Sequence, residues 1–177
     1  MANIRAMDSA IDELLANNRD FAARAPTARL DAQPSRRVAI VACMDARLDV
    51  HAALGLREGE AHVLRNAGGT ITDDMLRSLV VSQRRLDTRE VMLLHHTRCG
   101  MQTLDEDKLR VELTQATGGA SPAWEIGAFA DLEQDVRESL LRVRDCPFLP
   151  HRDRVRGFVY DVDTRLLREV RVTHDAA

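Results

Sequence analysis

Residues 37–47 read RVAIVACMDAR, and residues 90–100 read EVMLLHHTRCG. In each stretch, an apolar run is followed by polar and ionisable side chains of the kinds found in active sites and metal sites. Apolar runs of this kind are typical of strands buried on both faces of a parallel sheet, so we predict strands over Arg37–Cys43 and Glu90–His95. In open α/β sheets the functional crevice lies at the carboxyl ends of the strands, and the residues that follow each run are therefore candidate site residues.

The sequence between these two strands predicts a βαβ unit. A second short strand fits Ala61–Arg65, and the tight loop that follows it covers residues 66–69. Thr72 is placed to cap the next helix, which leads into the strand that begins at Glu90. Strand, helix and strand at this spacing indicate a largely parallel sheet with right-handed crossovers.

The flanking segments complete an α/β domain. We predict an amphipathic N-terminal helix over Ser9–Arg24, capped by Asp8 or Ser9. Thr103 and Glu106 form a capping-box pattern for a helix that Gly118 and Gly119 stop. Apolar positions at helical spacing predict a further helix before Pro147; they are Leu132, Val136, Leu140 and Val143.

Two closing strands are predicted over Arg154–Val162 and Leu166–Val172, one of them at an edge of the sheet. The predicted fold class is therefore α/β: a mostly parallel sheet flanked by helices, with an antiparallel edge strand and an N-terminal helical extension. We expect residues 1–177 to form a single domain in which residues 1–36 are the N-terminal helix and a connector.

Composition excludes several classes of function. The 25 basic and 28 acidic residues give a net charge of −3, which argues against nucleic acid or an anionic membrane as the main partner. The longest apolar run, Val38–Met44, is far shorter than the roughly 20 residues of a membrane span. No block of signal-peptide type lies near the start, so we expect a cytoplasmic protein whose cysteines stay reduced.

The strand ends offer a set of metal ligands. Cys43 ends the first strand, and His96 and Cys99 follow the third. If those strands are neighbours, two thiolates and an imidazole converge, which is a ligand set that Zn²⁺ takes at structural or catalytic sites. Gly100 would permit the backbone to bend around the metal. His95 should point to the other side of its strand. The alternative is that Cys43 is a small buried apolar residue and the His-x-x-Cys spacing is chance.

Spacing argues against other chemistries of cysteine and phosphate. A cysteine phosphatase needs an arginine six residues after the cysteine, but position 49 is Asp. A thioredoxin-like centre needs two cysteines separated by two residues, and the chain has none. Neither GxGxxG nor GxxxxGK[ST] occurs, so evidence for a nucleotide site is weak.

Three motifs together resemble a known family, the β-class carbonic anhydrases. They are Cys43-x-Asp45-x-Arg47, then Arg65-Asn66-Ala67-Gly68, then His96-x-x-Cys99-Gly100. Their order and separations are similar to those of the short bacterial members, and the resemblance extends from about Arg37 to the closing strands. It implies that Cys43, His96 and Cys99 hold Zn²⁺ and that zinc-bound hydroxide hydrates CO₂ reversibly to bicarbonate.

The resemblance also implies roles for the neighbouring residues. Asp45 and Arg47 would form a catalytic pair in which Arg47 holds the carboxylate away from zinc and Asp45 orients the hydroxide. The segment Asn66, Ala67 and Gly68 would line the substrate pocket. Family members pair their sheets, so a homodimer or higher homo-oligomer is expected.

Two alternative functions stay open. The same scaffold could hydrolyse carbonyl sulfide or a related analogue of CO₂, a difference that pocket residues decide. A closed, non-catalytic zinc site with Asp45 as a permanent fourth ligand is the other alternative, and the presence of Arg47 argues against it.

Overall fold

A computed structural model describes residues 9–25 and 29–172 of the chain. Backbone contacts divide the chain into two units, Met1–Leu30 and Asp31–Ala177. In the first unit, helix α1 (Ala10–Arg24) begins at Ser9, which forms a capping box with Asp12. Ser9 is thus one of the two predicted caps, while Asp8 lies outside the described residues. No residue of α1 is buried, and its apolar face is exposed to solvent.

The second unit is built on a five-stranded sheet with the order β2-β1-β3-β4-β5. Its strands are β1 (Val38–Cys43), β2 (Ala61–Asn66), β3 (Glu90–His96), β4 (Val155–Tyr160) and β5 (Leu167–Val170). The pairs β1–β2, β1–β3 and β3–β4 are parallel, and β4–β5 is antiparallel. The predicted fold class is therefore confirmed, including the antiparallel strand at an edge of the sheet.

Four helices of this unit are α2 (Val50–Leu54), α3 (Asp73–Leu86), α4 (Glu106–Ala116) and α5 (Leu132–Asp145). Thr72 caps α3 as predicted. The Thr103–Glu106 capping box is wrong, because Asp105 caps α4 and accepts the N–H of Lys108 at 3.0 Å. The hydroxyl of Thr103 instead donates to the carbonyl of Gly100. Among the residues described, no helix is long and apolar enough to cross a membrane.

The core lies on both faces of the sheet and fixes the two central strands. One apolar cluster packs β1, β3 and β4 against α3 and α5, and a second covers the opposite face around Ile40, Leu48 and Leu94. Strand β1 pairs with β3 from Val38 opposite Glu90 to Ala42 opposite Leu94. The carboxyl ends of β1 and β3 therefore lie side by side at one edge of the sheet.

Candidate metal centre

Three side chains meet where β1 and β3 end. Cys43 is the last residue of β1, His96 is the last residue of β3, and Cys99 follows three residues later. One ligand atom from each lies within 4.8 Å of the other two, and the two Sγ atoms are 3.9 Å apart. Each of the three residues is at most 4% exposed. The structure thus brings together the residues that the sequence analysis predicts as metal ligands.

The imidazole of His96 has the orientation that a metal ligand needs. Its Nδ1 lies 2.9 Å from the carbonyl oxygen of Thr97 and donates to it, so Nε2 carries the lone pair. Nε2 is buried and has no hydrogen-bond partner among the described residues. A metal ion would satisfy this buried nitrogen. Two sulfurs and one imidazole nitrogen form a donor set that suits Zn²⁺, so the residues present fit that ion.

The two thiols of the cluster differ in acidity. Burial raises the pKa of the Cys43 thiol. The adjacent His96 imidazole and the backbone N–H groups of Asp45 and Gly68 lower it by more, so that the pKa is about 7. Burial and the proximity of Cys43 raise the pKa of the Cys99 thiol to about 11. Two thiolates this close repel each other, so both become ionised readily only when a cation lies between them.

Asp45 lies at the edge of the cluster and is held by Arg47. The backbone N–H and the Nε of Arg47 each donate to Oδ1 of Asp45 at 2.9 Å, and a terminal nitrogen donates to Oδ2 at 2.7 Å. These bonds keep the pKa of the Asp45 carboxyl far below its usual range, so it is ionised. Oδ2 is 3.8 Å from Nε2 of His96. The carboxylate therefore neighbours the ligand atoms while Arg47 engages both of its oxygens.

Arg47 is fixed in turn by the loop that carries Cys99. Its terminal nitrogen donates to the carbonyl oxygen of Arg98 at 3.0 Å. Arg98 has a φ of 55°, in the left-handed region, and its side chain pairs with Asp163. The backbone does bend at Gly100, which begins a 3₁₀ turn, but the left-handed residue of this loop is Arg98, which no sequence pattern indicated.

The loop after β2 packs tightly against the end of β1. The carbonyl of Asn66 accepts the N–H of Met44 at 2.8 Å. A Cβ atom added to Gly69 would lie 2.8 Å from the backbone nitrogen of Cys43, and Gly69 has a φ of 75°. Both observations require glycine at this position. The loop therefore supports Cys43 through main-chain contacts.

Of the predicted pocket residues, Asn66 ends β2, and Ala67 and Gly68 begin this loop, beside the first cysteine. The side-chain amide of Asn66 donates to the carbonyl of Thr70 at 2.9 Å, which holds the turn. The N–H of Gly68 stabilises the Cys43 thiolate. Contact between these three residues and a substrate stays a prediction.

Arg65 is the first residue of the second family motif, but the sequence predicts no separate role for its side chain. Its side chain donates from Nε to the carbonyl of Cys43 at 2.9 Å and from a terminal nitrogen to the carbonyl of Asp45 at 2.7 Å. Arg65 pairs with Ala42 in the β1–β2 register. Adjacency of the two strands was therefore the only available signal, and it does not indicate side-chain direction.

His95 lies on the opposite face of β3 from Leu94, as strand alternation predicts. It is fully buried, and its Nε2 is 2.5 Å from Oδ2 of Asp135 on α5. Phe129 lies beside its ring. These contacts join the end of β3 to α5, so His95 contributes to packing behind the cluster.

Known proteins resemble this chain in both sequence and fold. A protein-family model described as carbonic anhydrase matches residues 38–165. The β-carbonic anhydrase 1 of Mycobacterium tuberculosis is 50% identical over 161 residues, which cover 90% of this chain and 96% of the relative. The crystal structure of carbonic anhydrase from Streptococcus mutans has a TM-score of 0.87 at 41% identity, covering 94% of this chain and 100% of that one. A carbon disulfide hydrolase of Acidithiobacillus thiooxidans is 35% identical over 156 residues, covering 76% of this chain and 77% of the relative.

We expect the loss of any one ligand of the cluster to abolish tight zinc binding, because two remaining donors hold the ion weakly. The variants are Cys43→Ser, His96→Ala and Cys99→Ser, and the measurement is elemental analysis after dialysis against a chelator. Cys146→Ser is the matched control, since Cys146 is also buried but lies outside the cluster. It should keep the zinc content of the parent. Full zinc in Cys43→Ser would contradict the assignment.

Proposed function

The chain belongs to the β-class carbonic anhydrase family, and from this membership we propose that it is a lyase that hydrates CO₂ reversibly to bicarbonate. The cofactor in this proposal is a Zn²⁺ ion held by Cys43, His96 and Cys99. One observation carries the proposal: an ionised Asp45, paired with Arg47, lies beside the three ligand atoms. A carboxylate in this position serves catalysis, whereas a site used only for stability has no need of it.

Zinc, when bound, supplies a Lewis acid that makes water nucleophilic near neutral pH. The residues of the chain then orient the reaction. Asp45 accepts a hydrogen bond from the attacking water, which directs a lone pair of that water towards the carbon of CO₂. Arg47 balances the negative charge of the Asp45 carboxylate and keeps it in this position. The segment Asn66, Ala67 and Gly68 lines the pocket in our proposal, next to Cys43.

The non-catalytic alternative requires Asp45 as a fourth metal ligand. Arg47 donates three hydrogen bonds to the two carboxylate oxygens. Transfer of Asp45 to the metal would break charge-assisted bonds and leave the guanidinium without its counter-ion. This geometry favours an open coordination position, and with it a catalytic site.

The sulfur-analogue alternative has weaker support. The relative named carbon disulfide hydrolase is 35% identical, whereas the relative named β-carbonic anhydrase 1 is 50% identical over a larger share of the chain. The pairing of Asp45 with Arg47 suits attack by water on either substrate. Sequence similarity therefore favours CO₂.

We also propose that the chain forms a homodimer or a higher homo-oligomer. Helix α1 exposes Ile11, Leu14, Leu15 and Phe21, each at least 52% accessible. Within the second unit, an apolar cavity of about 970 Å³ opens between α3 and α5, lined in part by Leu76, Val80, Leu141 and Phe148. Exposed apolar surface on this scale is typical of protein interfaces. Self-association would remove it from water.

The substrate proposal is tested by comparing CO₂ hydration with the hydrolysis of carbonyl sulfide and carbon disulfide on the same zinc-loaded protein. We expect a kcat/KM for CO₂ of at least about 10⁴ M⁻¹s⁻¹. We also expect this value to exceed the kcat/KM for either sulfur analogue. Stopped-flow measurement of proton release reports the first reaction, and sulfide release reports the others. Faster turnover of a sulfur analogue would instead make this protein a hydrolase of that compound.

Asp45→Asn should retain zinc while turnover falls by about 10²-fold or more, because the amide no longer orients the water as a carboxylate does. Arg47 keeps Asp45 ionised, so the loss should be similar at about pH 7 and about pH 9. The matched control is Asp74→Asn, which removes an exposed acid that pairs with Arg77. Its turnover should equal that of the parent. Undiminished CO₂ hydration by Asp45→Asn would exclude a catalytic role for the pair.

Sedimentation velocity tests self-association. We expect the parent to sediment as a dimer or larger species at micromolar concentration, and Leu14→Glu to weaken the assembly because it places a charge on the apolar face of α1. Ala16→Glu, on the opposite face of the same helix, is the control and should leave the assembly intact. A monomeric parent would refute the proposal.

A further inference from the structure

Arg65 connects the edge strand β2 to the last residue of β1 and to the loop that follows it. Its Nε donates to the carbonyl of Cys43 at 2.9 Å, and its terminal nitrogen donates to the carbonyl of Asp45 at 2.7 Å. Both acceptors are main-chain atoms. One belongs to the first residue of the metal cluster, and the other belongs to the acid that neighbours it.

These bonds lie where the regular pairing of the two strands ends. The parallel register of β1 with β2 finishes at Cys43 opposite Asn66, and Met44 donates its N–H to the carbonyl of Asn66 at 2.8 Å. Asp45 lies beyond this last ladder bond. A guanidinium is a planar group with donors at fixed angles, so one side chain can hold two carbonyl oxygens in a defined relation. Arg65 therefore continues, through its side chain, the support that the sheet gives to residues 38–43.

Asp45 is consequently held at both ends. Arg47 binds the carboxylate, and Arg65 binds the carbonyl of the same residue. The carbonyl of Asp45 also accepts the N–H of Leu48 at 3.0 Å. These contacts restrain the backbone from which the Asp45 side chain projects, so they limit how far its carboxylate can move towards the Sγ and Nε2 atoms.

We propose that Arg65 is a positioning residue: by holding the carbonyls of Cys43 and Asp45, it keeps the Asp45 carboxylate paired with Arg47 and directed at the reacting water instead of at the metal. This role rests on the proposed function, since it concerns the same site. Arg65 acts through the main chain, and its two hydrogen bonds at this site are its means of doing so.

The test compares Arg65→Gln and Arg65→Lys with a control, Arg110→Gln. Arg110 lies on α4, and its terminal nitrogens donate to the carbonyls of Pro122 at 3.2 Å and Trp124 at 3.3 Å, so the control also loses a guanidinium bonded to two main-chain carbonyls. For each protein we would measure zinc content, the thermal unfolding midpoint, kcat and KM for CO₂, and the visible absorption spectrum after replacement of zinc by cobalt(II). The cobalt spectrum reports the geometry and identity of the ligands without turnover.

We expect Arg65→Gln to keep the zinc content of the parent and a midpoint close to that of Arg110→Gln. Its kcat should fall between about tenfold and about a hundredfold with little change in KM, because small displacements of catalytic groups have effects of this size. Its cobalt spectrum should differ from that of the parent. Arg65→Lys should recover part of kcat, since an ammonium restores a charged donor but lacks the fork. Arg110→Gln should match the parent in kcat and spectrum.

A kcat and a cobalt spectrum for Arg65→Gln that equal those of Arg110→Gln would overturn the positioning role. If the parent and Arg110→Gln both fail to hydrate CO₂, the proposed function fails, and the cobalt spectra alone then decide whether Arg65 sets the geometry of the site. Should Arg65→Gln not fold, Arg65→Lys decides: reduced kcat with an altered spectrum in a folded protein supports the role, and parental values of both contradict it.

Discussion

The site depends on the parallel pairing of β1 with β3. Two parallel neighbours end at the same edge of a sheet, and the pairing of Ala42 with Leu94 brings Cys43 and His96 together there. Both strands are central and almost fully buried. A slip of one residue would turn every core side chain to the opposite face, so packing fixes the register. The spacing between a thiol and an imidazole from distant parts of the chain is thereby set by the core.

The protonation states of the two thiols and the imidazole then determine which kind of ion suits this cluster. The two thiols lie 3.9 Å apart, and their pKa values shift in opposite directions. The pKa of Cys43 falls to about 7, and the pKa of Cys99 rises to about 11. The imidazole of His96 presents a buried lone pair on Nε2, because Nδ1 donates to the carbonyl of Thr97. A cation removes the repulsion between the thiolates and satisfies the nitrogen in one step. The arrangement therefore suits the Zn²⁺ ion that our proposal places here.

Much of this organisation could be predicted from sequence, for identifiable reasons. Buried strands of a parallel sheet are continuous apolar runs, so β1 and β3 and the ligands at their ends were predictable. Helix caps and loop conformations that depend on tertiary contacts could not be predicted. Thr103 and Asp105 are both competent helix caps, but the hydroxyl of Thr103 is used by the preceding turn. Arg98, not a glycine, takes the left-handed conformation, and its carbonyl accepts a hydrogen bond from Arg47. Such a contact leaves no pattern in the sequence.

Three ligands alone do not distinguish a catalytic zinc site from a structural one, because the fourth position decides. Asp45 Oδ2 is already 3.8 Å from Nε2 of His96, so a small rotation would bring an anionic ligand to the metal. The attraction between a carboxylate and a divalent cation favours that rotation, and only a competing cation with good geometry can oppose it. Arg47 supplies this competition at the carboxylate, and the carbonyl of Arg98 holds Arg47 in place. In our proposal, Arg47 and Arg65 therefore decide whether the site catalyses or only binds an ion, because both hold the residue that competes for the fourth position.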